Sequence, residues 1–194
     1  MSSLSDLLLT GVITYGAPIL GLILLTGALG VPAPTTLLLI ATGAFLRQGI
    51  LDWPQTIFLG LAGTVLGDNL SFAMGRFGSG WIIHRFGGTN LWKQGQAAFD
   101  KQGSWAIFLT RFLVGSLALP VNLIAGSSGY RFSRFLAIDI LGEVIWIGGY
   151  AGLGYLFGNE WEAMSQVASD FSGLALGLVV LGAGLYFWFR QKKA

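Results

Sequence analysis

Residues 104–126 read SWAIFLTRFLVGSLALPVNLIAG, an apolar run with Arg111 in its first half and Pro120 in its second. A straight membrane-crossing helix does not suit this run, because Pro120 removes a backbone donor and its ring crowds the preceding turn. Hydrocarbon cannot satisfy the freed backbone groups, so such a segment survives at membrane depth only when covered by protein or facing a watery cavity. The run therefore reads as a re-entrant hairpin. A second run of the same kind, VPAPTTLLLIATGAF at residues 31–45, carries Pro32, Pro34 and Gly43 and is flanked by Arg47 and Asp52. It too reads as a re-entrant hairpin. A kinked spanning helix is the alternative for each.

The composition around these runs is that of a membrane protein. Of 194 residues only 10% are charged, against about 25% in soluble domains. Thirty glycines and seven tryptophans suit close helix packing in lipid and aromatic belts at its borders. Four stretches are long and apolar enough to cross: residues 7–29, 53–75 with Asp68 inside, 135–157 with Asp139 and Glu143 inside, and 171–189. The first has no basic flank, which favours a retained helix over a cleaved signal. The expected fold class is therefore an all-α polytopic membrane protein with four transmembrane helices and two opposed re-entrant hairpins. No cysteine and one histidine argue against zinc or thiolate chemistry. No catalytic residue set, metal or cofactor is expected, and a net charge of +2 gives no reason to expect nucleic acid.

If neither hairpin crosses, Arg76, Arg85, Lys93, Lys101, Arg131, Arg134, Arg190, Lys192 and Lys193 fall on one side, with only Arg47 opposite. By the positive-inside rule that side is cytoplasmic and both termini lie there, in the cell (inner or plasma) membrane. Residues 49 and 129 then lie on opposite faces. Residues 79–103 mix aromatic and basic side chains and read as an interfacial segment on the cytoplasmic leaflet; His84 belongs to it. The pattern Thr42-Gly43-Ala44 then Leu66-Gly67-Asp68 is echoed by Ala125-Gly126-Ser127 then Leu141-Gly142-Glu143. This suggests a single membrane domain, 1–194, with a first repeat at about 31–78 and a second at about 104–158, inverted relative to each other, then a C-terminal helix at about 171–189. Chance remains the competing account of such short matches.

Asp68, Arg111, Asp139 and Glu143 are ionisable groups in apolar context, each expensive enough to need a reason. Asp139 and Glu143 share a helix face. Asp139 lies near the cytoplasmic end and is expected to be solvated. For Arg111 and Glu143 a packing ion pair and a head-group site are both open; Asp68 leans toward function. The candidate substrate-binding residues are Arg111, Asp68 and Glu143, with Pro120, Asn122, Thr35 and Thr36 from the two Pro-broken runs. The glycine pairs Gly63/Gly67, Gly148/Gly152 and Gly173/Gly177 read as close helix contacts, and a homo-oligomer is left open.

Arg111-Phe112, Gly115, Pro120, Ala125-Gly126 and Arg134-Phe135, followed by Gly142, Trp146 and Gly158 and preceded by Gly67-Asp68, Gly75-Arg76 and Gly78, resemble the signature of the DedA family of SNARE-associated or VTT domain proteins. The resemblance runs from about Val31 to Gly158. It implies opposed re-entrant hairpins and lipid movement between leaflets, of undecaprenyl phosphate in bacterial members and phospholipids in eukaryotic relatives. Thr35-Thr36 stands where many members have an acid, and Ser116-Leu117 near where they have a second Arg, which weakens the case for strong proton coupling. The partner expected is a membrane lipid with an anionic head group, moved by a flippase or scramblase. The alternatives are a cation- or proton-coupled transporter of small solutes, and a structural factor whose charges only hold the hairpins together.

Overall fold

The computed structural model describes residues 4–112 and 115–157. The described chain is all helical: α1 Leu4–Tyr15, α2 Ala17–Ala28, α3 Thr35–Arg47, α4 Trp53–Phe77, α5 Ser79–Phe86, α6 Asn90–Gln102, α7 Ser104–Phe112, a 3-10 turn Gly115–Leu117, α8 Ala118–Ser127 and α9 Phe132–Phe157. The expected crossing at 171–189 and Gly158 lie outside the described residues. All five prolines mark helix starts: Pro18, Pro54 and Pro120 fall in first turns, and Pro32 and Pro34 lead into α3. There the missing donor would have had no intrahelical partner anyway. Asp52 caps α4 by accepting from the Gln55 N–H at 3.0 Å.

Two helices, α4 and α9, are long and apolar enough to cross a membrane. They run antiparallel: Trp53, at the start of α4, meets Tyr155 near the end of α9, with ring centroids 5.3 Å apart. At the other end Phe72 meets Phe132 and Phe135 at 5.7 and 4.5 Å. Beside α4 runs α2, in the same direction, with Gly21 against Gly63 and Leu25 and Ala28 against Gly67. The chain then turns at 29–34 and α3 returns to the Trp53 end, where Arg47 donates to the Tyr155 and Leu156 carbonyls at 3.0 and 2.8 Å. From the opposite end α7 climbs beside α9 and α8 descends beside α4.

Two sequence expectations are redrawn by this arrangement. The stretch 7–29 is two helices, broken at Gly16, whose φ of 71° is a left-handed conformation that suits glycine. The stretch 31–45 holds no bend of its own after Thr35. Its apolar residues belong to one unbroken helix, α3, and the arm that pairs with it is α2.

The returning arm of each half packs on the long helix of the other. A Cβ at Gly43 would overlap the Ala151 carbonyl and one at Gly154 the Ile40 carbonyl; likewise Gly126 faces the Phe72 carbonyl and Gly75 that of Leu123. Glycine at both positions of each crossing brings backbone onto backbone. One constant shift in numbering relates Gly75 to Gly154, Phe72 to Ala151 and Arg76 to Tyr155, and a second relates Ile40 to Leu123 and Gly43 to Gly126. The first shift sets Thr64 opposite Glu143, so the Leu-Gly-acid match seen in the sequence is one helical turn out of register.

Two outcomes are expected. With no native cysteine to interfere, Gln48→Cys and Ser128→Cys label from opposite sides of the membrane in intact vesicles. Gly43→Leu and Gly126→Leu each lower the melting temperature in detergent, by an overpacking cost of about 1–3 kcal/mol or more, whereas Gly148→Leu, whose Cβ would meet open space, does not.

Candidate functional site

Arg111 sits in the last turn of α7, where the chain is about to fold back. Its stem passes over Gly142 of α9, where a Cβ would lie only 2.6 Å from Arg111 Cγ. The guanidinium is thereby delivered between the two long helices. Nη1 lies 2.9 Å from Asp68 Oδ1 of α4, Nη2 lies 2.9 Å from Asp139 Oδ1 of α9, and Nε lies 3.8 Å from Glu143 Oε1. Asn122 of α8 ties the group together: it accepts from Arg111 Nη2 at 2.7 Å and donates to Asp68 Oδ1 at 2.7 Å. The Phe135 ring lies 6.0 Å from the guanidinium carbon. Five polar side chains from four helices are thus buried as one unit.

Asp139 is the correction here. It was expected to be solvated near the cytoplasmic end, yet it is fully buried. The physical reason is that α9 begins at Phe132, which sets Asp139 two turns inside, next to Arg111. Its spacing of four from Glu143 was a usable signal: two acids on one face need a shared cation. Thr64 and Thr110, which sequence reasoning passed over, and Trp146, which it quoted only within the family signature, also line the site.

The pairing is incomplete. Three carboxylates surround one guanidinium, and Glu143 Oε2, both Asp139 oxygens and Arg111 Nε have no hydrogen-bond partner among the described residues. Asp139 Oδ1 is thus an ion-pair contact off the N–H direction. Carboxylate oxygens of Asp68, Asp139 and Glu143 lie within 4.8 Å of one another, and the Arg111 guanidinium stands among them as their cation. Buried charge without a counter-charge is costly, so the surplus carboxylates call for protons, a small cation or a ligand donor.

A cavity of about 870 Å³ opens onto this cluster. Asp68, Arg111 and Glu143 line its inner end, with Thr64 and Thr110 beside them. Thr35, Thr36 and Pro120 line it too, from the turns that begin α3 and α8. Those turns touch: Gly30, with φ of 95°, faces the Leu119 side chain. Asn122 is the exception among the expected residues, since it is fully buried behind Arg111 and does not line the cavity. Toward the opening the walls are apolar and aromatic, with Trp81, Ile82, Phe86, Leu91 and Trp92 from α5–α6.

The cluster sets a stability expectation. Arg111→Met leaves three buried acids without their cation and costs about 3–5 kcal/mol. Adding Asp139→Leu and Asp68→Asn recovers a large part of it. Thermal melts of the purified variants in detergent measure both.

The family model described as "VTT domain" matches residues 32–156. The chain is 22% identical over 152 residues to undecaprenyl phosphate transporter A of Bacillus subtilis, covering 76% of each chain. It is 30% identical over 156 residues to an uncharacterized membrane protein of Synechocystis, covering 75% of this chain and 70% of that one. It is 26% identical over 150 residues to an inner membrane protein of Escherichia coli, covering 75% and 77%. No solved structure matches the chain. With two long apolar helices, each crossed at paired glycines by a shorter one, and a family match over most of its described length, this chain is a membrane protein and belongs to the VTT domain, or DedA, family.

Proposed function

We propose that the protein moves a phosphate-bearing lipid, undecaprenyl phosphate or a phospholipid, between leaflets as a flippase or scramblase, without ATP hydrolysis. The observation that carries this reading is the cavity: apolar walls of leucine and tryptophan lead to a single buried arginine flanked by acids. A lipid has that shape, a polar head on an apolar stem. The volume of about 870 Å³ lies at the upper end of small-molecule pockets, enough for a head group and the first part of a chain, with the remainder left in the bilayer. Arg111 suits a phosphate because its planar fork can give two parallel hydrogen bonds. The B. subtilis relative, named for undecaprenyl phosphate, supports the same substrate class.

In this reading α2–α3 and α7–α8 are re-entrant hairpins entering from opposite faces, and their tips meet at the cavity. Transporters built from inverted repeats place their substrate site at such a meeting of broken helices. Phosphate competes with the carboxylates for Arg111, and a proton or small cation compensates the acid that lets go. The end bearing Arg76, Arg131 and Arg134 faces the cytoplasm. The helix α1, about 18 Å long, is too short to cross, so in this reading its first described turn, at Leu4, lies on the same side as the Trp53 end of α4. The acid surplus favours a second reading, cation- or proton-coupled transport of a small solute, with Asp68, Asp139 and Glu143 as the ion site.

The test is reconstitution of pure protein into liposomes with labelled undecaprenyl phosphate and labelled phospholipid side by side. Arg111→Lys is expected to fold and to lose most transfer, and Arg111→Ala to abolish it. Equal transfer by wild type and Arg111→Ala ends the proposal. Transport of a small solute with no lipid transfer supports the second reading.

A further inference from the structure

The α5–α6 hairpin has two working faces. One is fixed to the protein: Ile82 and Trp92 are buried, and α6 presses on α8 at Gly95, where a Cβ would lie 2.9 Å from Pro120 Cβ. This face forms the outer wall of the cavity. The other face looks away from the protein and is both greasy and basic. Phe77 at the entry to α5 is 89% exposed and Ile83 about half exposed, while Trp81, 65% exposed, and Leu91, about half exposed, lie where this face meets the mouth of the cavity. Among them stand exposed Arg85 and Lys93, and Lys101 closes α6. Arg76, Arg131 and Arg134 are exposed at the adjoining ends of α4 and α9.

The hairpin's own acid, Asp100, accepts from Gln96. Among the described residues none of these basic side chains forms an ion pair; the only pairs are those of Arg111. Arg76 reaches only the Tyr130 carbonyl, and Arg85 stacks on Phe86. Six cations at one end of the molecule thus have no carboxylate partner among the described residues. Water suits the cations but not the aromatic rings. Hydrocarbon suits the rings but not the cations. The boundary of an anionic leaflet suits both.

We infer that the outer face of α5–α6, with Arg85 and Lys93, docks into the head-group layer of an anionic lipid leaflet, and that this contact holds the cavity wall in place. This goes beyond the proposed transport reading, because it assigns a lipid surface rather than a transported molecule. A consequence is that the leaflet at the basic end supplies or receives whatever occupies the cavity. Each basic residue near such a surface strengthens the contact, by roughly fivefold in the docking equilibrium for a residue worth about 1 kcal/mol.

The experiment uses the full chain carrying Ile83→Cys, a unique label site, tagged with an environment-sensitive fluorophore. It is reconstituted in phosphatidylcholine vesicles and in vesicles of three parts phosphatidylcholine to one part phosphatidylglycerol. The expected result is blue-shifted emission, quenched by spin-labelled lipid, in the anionic vesicles, with loss of the shift at high salt. Arg85→Gln with Lys93→Gln, in the same background, shifts the docking equilibrium roughly 25-fold toward the undocked state, and Arg85→Lys with Lys93→Arg restores it. A fluorophore that reports the same environment in both vesicle types, or one unmoved by the double Gln variant, overturns the inference. The readout is independent of transport: docking without lipid transfer sinks only the proposed function, and transfer with no dependence of the probe on anionic lipid sinks only this inference.

Discussion

A guanidinium at membrane depth has to be met by opposite charge, and most of this structure can be read as the means of meeting it. Arg111 is held by Asp68 on one side and Asp139 on the other, so the side chain bridges the two long helices. That bridge needs α4 and α9 within a few ångströms of one point, which needs α7 to end there, which needs Gly142 to leave room for the arginine stem. Removing any one of these leaves a charge without its partner, and in a medium of low dielectric that is among the costliest faults a protein can carry. The hairpin arms supply the rest of the scaffold by crossing the long helices at glycine.

Much of this was legible in the sequence, for physical reasons that can be named. The second Pro-broken run, 104–126, coincides with α7, its tip and α8, because Pro120 can begin a helix but not continue one. The long helices announced themselves by apolar length, and the four ionisable residues by their cost. The first hairpin was misplaced because the break at Gly16 lies inside a wholly apolar stretch, where hydropathy carries no signal. Asp139 was misjudged because its surroundings are set by Arg111, Asn122 and Phe135, all distant in sequence.

The division of labour within the cluster is a matter of depth. Asn122 and Asp139 are sealed behind the guanidinium, whereas Asp68 and Glu143 share its open side with the cavity. The sealed pair can fix the orientation of Arg111 while the open pair remains accessible to exchange. The cavity opens on that same side, with apolar walls leading to it.

The paired glycine crossings have one more consequence. They give the backbone a near-twofold pattern, but the residues hung on it do not obey that pattern: Thr64 answers Glu143, Gly60 answers Asp139, and Asp68 answers Ile147. The frame is alike at its two crossings, but its chemistry is not: Asp139 and Glu143 on α9 have only Gly60 and Thr64 as counterparts on α4, so the acid surplus of the cluster sits on one arm of an otherwise matched pair.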